Sequence, residues 1–229
     1  MWKFTGLSPS TSVRIRRRSG GGGGGGAYSA LTMTEQPSPL IQIIVSTTRP
    51  GRFADKPVAW LTERLAGRDD LRFEVVDLRD HPLPFYESPM APARAGRDYP
   101  NDDVARLGQK IDTADGYVIV TAEYNHGYPG VLKNALDHIF PELNRKPVMF
   151  VGYGNTGAAR AIEQLRLVAV EFEMAPLRWA VHIMPELMIG AMKAETFSTD
   201  LFAPLDDRLT MAVDDLLWWT TALSQARAD

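Results

Sequence analysis

The sequence predicts an α/β domain: a parallel sheet with helices on both faces. Three observations carry this. Short apolar runs alternate with segments whose apolar residues recur at helical spacing. The interior runs are nearly continuous, as strands buried on both faces should be. The length, 229 residues, suits one such domain.

The elements follow in order. Leu40-Ile41-Gln42-Ile43-Ile44-Val45 is the first strand. Ala54 to Ala66 carries Val58, Leu61 and Leu65 on one helical face. Phe73-Glu74-Val75-Val76 is the second strand. Asp80 to Asp102 holds Pro82, Pro84, Pro89, Pro92 and Pro100, and reads as a long, constrained loop. Val104, Leu107 and Ile111 mark a helix, and Tyr117–Val120 the third strand. Leu132, Leu136 and Ile139 stripe the next helix, and Val148–Val151 is the fourth strand. Ile162, Leu165, Val168 and Phe172 stripe a long helix. In Leu177–Ile183 the large apolar residues fall at every second position, the mark of a strand with one wetter face. A last helix spans about Leu205 to Leu223, with Leu209, Val213, Leu216 and Leu217 inward. The most amphipathic strand comes last and belongs at an edge. Five strands then fit the flavodoxin-like order 2-1-3-4-5. One domain, residues 38–226, is expected.

Composition excludes several classes. There is no cysteine, so disulfide scaffolds, thiolate metal sites and thiol nucleophiles are out. No apolar run approaches a membrane span. Net charge is −3, but it is unevenly spread. Residues 1–33 carry five basic side chains (Lys3, Arg14, Arg16, Arg17, Arg18) and no acidic one. With 25 basic and 28 acidic residues in all, the remainder holds 20 against 28, a net of about −8. The basic head ends in Gly20–Gly26 and shows no apolar periodicity. Residues 1–37 are therefore expected to be a disordered extension. No apolar stretch follows the basic cluster, which argues against a signal peptide. An organelle transit peptide and a nucleic-acid arm at Arg14–Arg18 are rival readings. The plainest is a non-structural extension, with Met33 opening the folded protein. A cytoplasmic protein with no nucleic-acid or membrane partner is expected.

In such a sheet, ligands bind beyond the carboxyl ends of the strands. Three loops lie there. Ser46-Thr47-Thr48-Arg49-Pro50-Gly51-Arg52 offers hydroxyls, two guanidiniums and a helix N-terminus, which suit a phosphate. It could equally be a turn that caps the next helix. It contains neither GxGxxG nor GxxxxGK[ST]. Thr121-Ala122-Glu123-Tyr124-Asn125-His126-Gly127-Tyr128-Pro129-Gly130 brings aromatics, amides and glycines, which suit a flat ring. Gly152-Tyr153-Gly154-Asn155-Thr156-Gly157 lets backbone amides approach a ligand. His126 has no partner histidine at ligand spacing, so no metal site is expected. There is no G-x-S-x-G to support a hydrolytic triad.

These motifs carry a resemblance. Ser46–Arg52 resembles the G-S-x-R loop of NADPH-dependent FMN reductases. Thr121–Asp137, TAEYNHGYPGVLKNALD, is similar to that family's P-E-Y-N…P-x-x-L-K-N-A-x-D signature. Gly152–Gly157 is similar to its third flavin loop. The resemblance spans roughly residues 38–185. It implies bound FMN, NADPH or NADH as cosubstrate, and a flavin, quinone, azo compound or metal oxyanion as acceptor. It implies Thr47 and Arg49 at the phosphate, Arg52 at the phosphate or cosubstrate, and Glu123, Tyr124, Asn125 and Gly154 about the ring. It also implies a homodimer or homotetramer. Ser46 stands where the family has Gly, and Ala122 where it has Pro. The serine would cost about 1 kcal/mol or more if the turn required a left-handed residue.

No residue is assigned as a catalytic acid; Tyr124 and His126 are the nearest groups. Phe85, Tyr86 and Met90, with Met184, Met188 and Met192, are candidates for the acceptor wall, packing or a subunit contact. Adjacent on one helix, Trp218 and Trp219 cannot both face the core. Lys133 and Asp137 are spaced to pair. The main alternative is a flavodoxin-like electron carrier with no NAD(P)H oxidation of its own. A flavin-free binding module of the same fold is a further one.

Overall fold

A computed structural model describes residues 38–99 and 101–228. The basic head lies outside them. β1 (Leu40–Val45), β2 (Arg72–Asp77), β3 (Gly116–Ala122), β4 (Pro147–Tyr153) and β5 (Ala175–Ile183) form one sheet of order β2-β1-β3-β4-β5. Every neighbouring pair is parallel. This is the expected flavodoxin-like topology, with β5 at an edge.

Among the described residues, seven α-helices accompany the strands: α1 (Asp55–Leu65), α2 (Pro92–Ala95), α3 (Asp102–Asp112), α4 (Gly130–Leu136), α5 (Ala159–Glu171), α6 (Pro185–Lys193) and α7 (Asp206–Ala228). The residues of β3 and β4 are all buried, as continuous apolar runs require. Alternate side chains serve two cores. Ile43, Val118 and Val151 pack with Trp60 and Leu61 of α1 and Leu216 of α7. Ile119 and Phe150 pack with Leu107 of α3, Leu132 of α4 and Leu165 of α5 on the other face. Trp60 anchors the first core. It is fully buried, its indole N–H donates to Asp206 Oδ1 at 2.8 Å, and Phe202 meets it edge-on at 5.8 Å.

Four details depart from the sequence reading. Ile139, expected on the helix with Leu132 and Leu136, lies beyond the end of α4. The Pro-rich segment includes a short helical turn, α2. The last helix runs on to Ala228. And α6 was not expected as a helix, although Pro185 stands in its first turn and Met188 and Met192 lie one turn apart. Lys133 and Asp137 do pair, at 2.5 Å. Trp218 and Trp219 are both turned outward, 5.2 Å apart and edge-to-face.

The edge strand β5 is tied to the helix that packs on it. Arg166 of α5 donates to the carbonyls of Leu177 (3.3 Å) and Arg178 (2.8 Å). The β4–β5 register also shifts between Val148 and Phe150. Among the described residues, no helix is long and apolar enough to cross a membrane.

Trp60→Ala removes the largest buried side chain of the α1 face and one of the donors to Asp206, leaving that carboxylate to Arg64. It is expected to cost about 3–5 kcal/mol, read as a lowered urea midpoint at unchanged slope.

Candidate functional site

Because all five strands run the same way, the loops after β1, β3 and β4 leave one rim. They enclose a cavity of about 700 Å³. Arg49 and Gly51 come from the first loop, Glu123 to His126 from the second, and Tyr153 to Asn155 from the third. Met188 and Met192 of α6 close one side with sulfur and methylene.

The first loop is fastened by Arg52. Its side chain is 3% exposed and all three guanidinium nitrogens are engaged. Nε donates to Asp55 (2.7 Å), Nη1 to Asp77 Oδ1 (2.7 Å) and the Thr47 carbonyl, and Nη2 to Asp77 Oδ2 (2.5 Å), with Asp55 in ion-pair contact at 2.6 Å. Asp77 ends β2, directly opposite Val45 in the register. Burial alone would raise the Asp77 carboxyl, but hydrogen bonds from Arg52 and Arg79 outweigh it and hold it at about 2. The guanidinium is thus turned into the fold, away from the role of a phosphate ligand. Thr47 is buried, its hydroxyl 3.4 Å from the Tyr153 hydroxyl. Burial pushes Tyr153 up to about 12 against the opposing Thr47 contact, so it stays a neutral donor at ordinary pH. Ser46 is not among the residues of positive φ, so the serine in place of glycine carries no left-handed cost.

The cavity wall holds four cationic side chains (Arg49, Arg52, Lys56, Arg160) and one carboxylate, Glu123. Arg52 is occupied by aspartates and Arg160 by Glu123. The other two rest on aromatic faces. Arg49 lies 5.4 Å from the Tyr124 ring centre and Lys56 4.4 Å from that of Phe197. Among the described residues neither is in an ion pair, which leaves their charge for an anion.

The second loop is a tight turn. Tyr124 and Gly127 exchange backbone hydrogen bonds of 2.8 and 3.0 Å. Asn125 and His126 between them stand at φ 50° and 70°. Asparagine and histidine tolerate that region better than most residues. The Glu123 carboxylate points back into the protein. It accepts from Arg160 Nε (2.6 Å), the Arg160 backbone N–H (3.2 Å) and Thr156 Oγ1 (3.0 Å). Burial would raise it, but Arg160 and Thr156 hold it below the usual carboxylate range.

Comparison with known proteins now bears on this cavity. The family model described as NADPH-dependent FMN reductase matches residues 39–186. This chain belongs to the NADPH-dependent FMN reductase family. An NAD(P)H-dependent FMN reductase of Schizosaccharomyces pombe is 37% identical over 141 residues, 61% of this chain and 70% of that one. Another from a Nectria species is 30% identical over 171 residues, 73% of this chain and 81% of that one. Among solved structures, the flavoenzyme NAD(P)H:(acceptor) oxidoreductase FerB of Paracoccus denitrificans is similar, with TM-score 0.62 and 25% identity. It aligns with 80% of this chain and 98% of its own.

In this FMN reductase, the sequence-chosen residues divide into two groups. Arg49, Tyr124, Asn125 and Gly154 face the cavity. Arg52 and Glu123 border it but direct their charges into ion pairs, and Thr47 lies beneath it. Met188 and Met192 line the wall, whereas Phe85 and Tyr86 line a separate cavity of about 360 Å³ with Tyr99 and His138. Met90 is half exposed. Sequence reasoning missed Lys56 and Arg160. Arg160 stands in the first turn of α5, where the third loop ends.

Arg52→Met is expected to lower stability at neutral pH by about 1–3 kcal/mol, because it leaves Asp55 and Asp77 with only the more exposed Arg79 as a shared cation. Asp77 is depressed in the folded state, so its contribution is present above pH 4 and is lost as pH falls toward 2. Urea unfolding between pH 6 and pH 2 should show a shallower pH slope in the variant than in the parent.

Proposed function

We propose that this chain is an FMN-dependent oxidoreductase that passes hydride from NADPH or NADH, by way of bound FMN, to a small acceptor such as a quinone, a second flavin or an azo compound. The observation that carries the reading is the convergence of three loops on one cavity with two cations free for an anion. The donor set fits FMN. Arg49 and the start of α1 suit its phosphate. Gly154, at φ 146°, and the turn at Tyr124 and Asn125 bring backbone toward a flat ring. The cavity is within the ~300–1,000 Å³ usual for such ligands.

When bound, FMN supplies the redox chemistry by accepting and returning hydride. The residues of the chain hold and orient. Arg49 fixes the phosphate end, while Thr47 and Arg52 shape the loop that carries it. Glu123 braces the turn that Tyr124 and Asn125 present. Met188 and Met192 keep water from one side of the cavity. Tyr153 offers a neutral hydroxyl at its floor. No proton donor is required for hydride transfer itself, and none is assigned. The same reading places the domain at residues 38–226, in the cytoplasm, as a homodimer or homotetramer.

The purified protein should show a flavin absorption spectrum that bleaches anaerobically with NADPH or NADH and returns on adding a quinone. A flavin that neither nucleotide bleaches would make the chain an electron carrier. A colourless protein that takes up no added FMN would refute the reading. Arg49→Ala should weaken FMN by about 10- to 100-fold. Riboflavin, which lacks the phosphate, should bind the variant and the parent alike.

A further inference from the structure

One face of α5 reaches over the second loop at two points. Arg160 and Gln164 are four residues apart and share that face. Arg160 holds Glu123, just before the turn. Gln164 Nε2 donates to the His126 carbonyl at 2.9 Å, at its far end. The fit is close: a Cβ added at Gly127 would lie 3.1 Å from Gln164 Oε1. Between the two anchors stand Asn125 and His126, both in left-handed backbone. Such backbone is uncommon for residues with a side chain and persists where surrounding contacts determine it.

We propose that Gln164, together with Arg160, is a positioning residue for the flavin ring: α5 grips the 123–127 turn at both ends and so sets where its backbone meets the ring. This rests on the FMN reading above. Gln164 is exposed and is not part of the cavity wall, so its effect on a ligand must pass through the turn. Arg160 does line the cavity and can touch a ligand directly, which makes Gln164 the cleaner test.

The experiment measures flavin affinity, bound-flavin absorption and apoprotein melting in the full chain. Gln164→Leu removes the donor, and Gln164→Glu removes it at constant size. Both variants lie at one exposed helix position, where replacement ordinarily leaves the fold intact. The expected result is a loss of about tenfold in affinity for FMN and for riboflavin by the same factor. The bound-flavin absorption band should shift as well, with the apoprotein melting temperature unchanged. Gln164→Lys restores a donor and should recover part of the loss. Parent-like affinity and spectrum in both variants would overturn the proposal. So would a loss confined to FMN, which would mean a phosphate effect. A loss matched by a fall in apoprotein melting would overturn it too, reducing the contact to general stability. A parent chain that binds neither flavin would sink the FMN reading itself.

Discussion

A parallel strand buried on both faces can return only over one of those faces, so every strand of this sheet ends at the same rim. That constraint places three loops, far apart in sequence, around one cavity. It also demands close packing where the loops turn back. A Cβ at Gly152 would come within 2.6 Å of the Gly157 carbonyl oxygen, and one at Gly157 within 2.7 Å of His182 Cβ. His182 Nδ1 donates to that same Gly157 carbonyl at 2.8 Å. The third loop is thus packed closely on the strand ends, and Tyr153, Gly154 and Asn155 of it line the cavity.

Charge is sorted at that rim with the same economy of space. Two arginines are paired with carboxylates and become struts, Arg52 between β1 and β2 and Arg160 between the second and third loops. Two cations held on aromatic rings keep their charge for an incoming anion. A residue-type count alone would give four anion ligands. The geometry leaves two, and the difference is set by where Asp77 and Glu123 happen to stand.

Much of the fold was legible because the signals were strong and local. The continuous runs at Tyr117–Val120 and Val148–Val151 became fully buried strands. The alternation in Leu177–Ile183 became an edge. The site motifs were legible as positions but not as orientations. Nothing in the stretch Ser46–Arg52 says that Arg52 turns inward. That follows from Asp77 lying opposite Val45, a register the strand order fixes and the motif does not. Likewise Gln164 looks like an ordinary exposed helix residue until His126 folds back to meet it. The helix α6 was hidden because its apolar stripe is short and rich in methionine, so that it reads equally as a loop or a wall.

The guanidinium of Arg166 has a bearing on how copies of this molecule can meet. An exposed edge strand invites another to add to the sheet, because its outward carbonyls and amides await partners. Here Arg166 engages the carbonyls of Leu177 and Arg178, and the β4–β5 register shifts close to them. That stretch of β5 is irregular, which makes it a less regular template for β-addition. Growth by strand pairing, with its risk of open-ended aggregation, is hindered along that stretch.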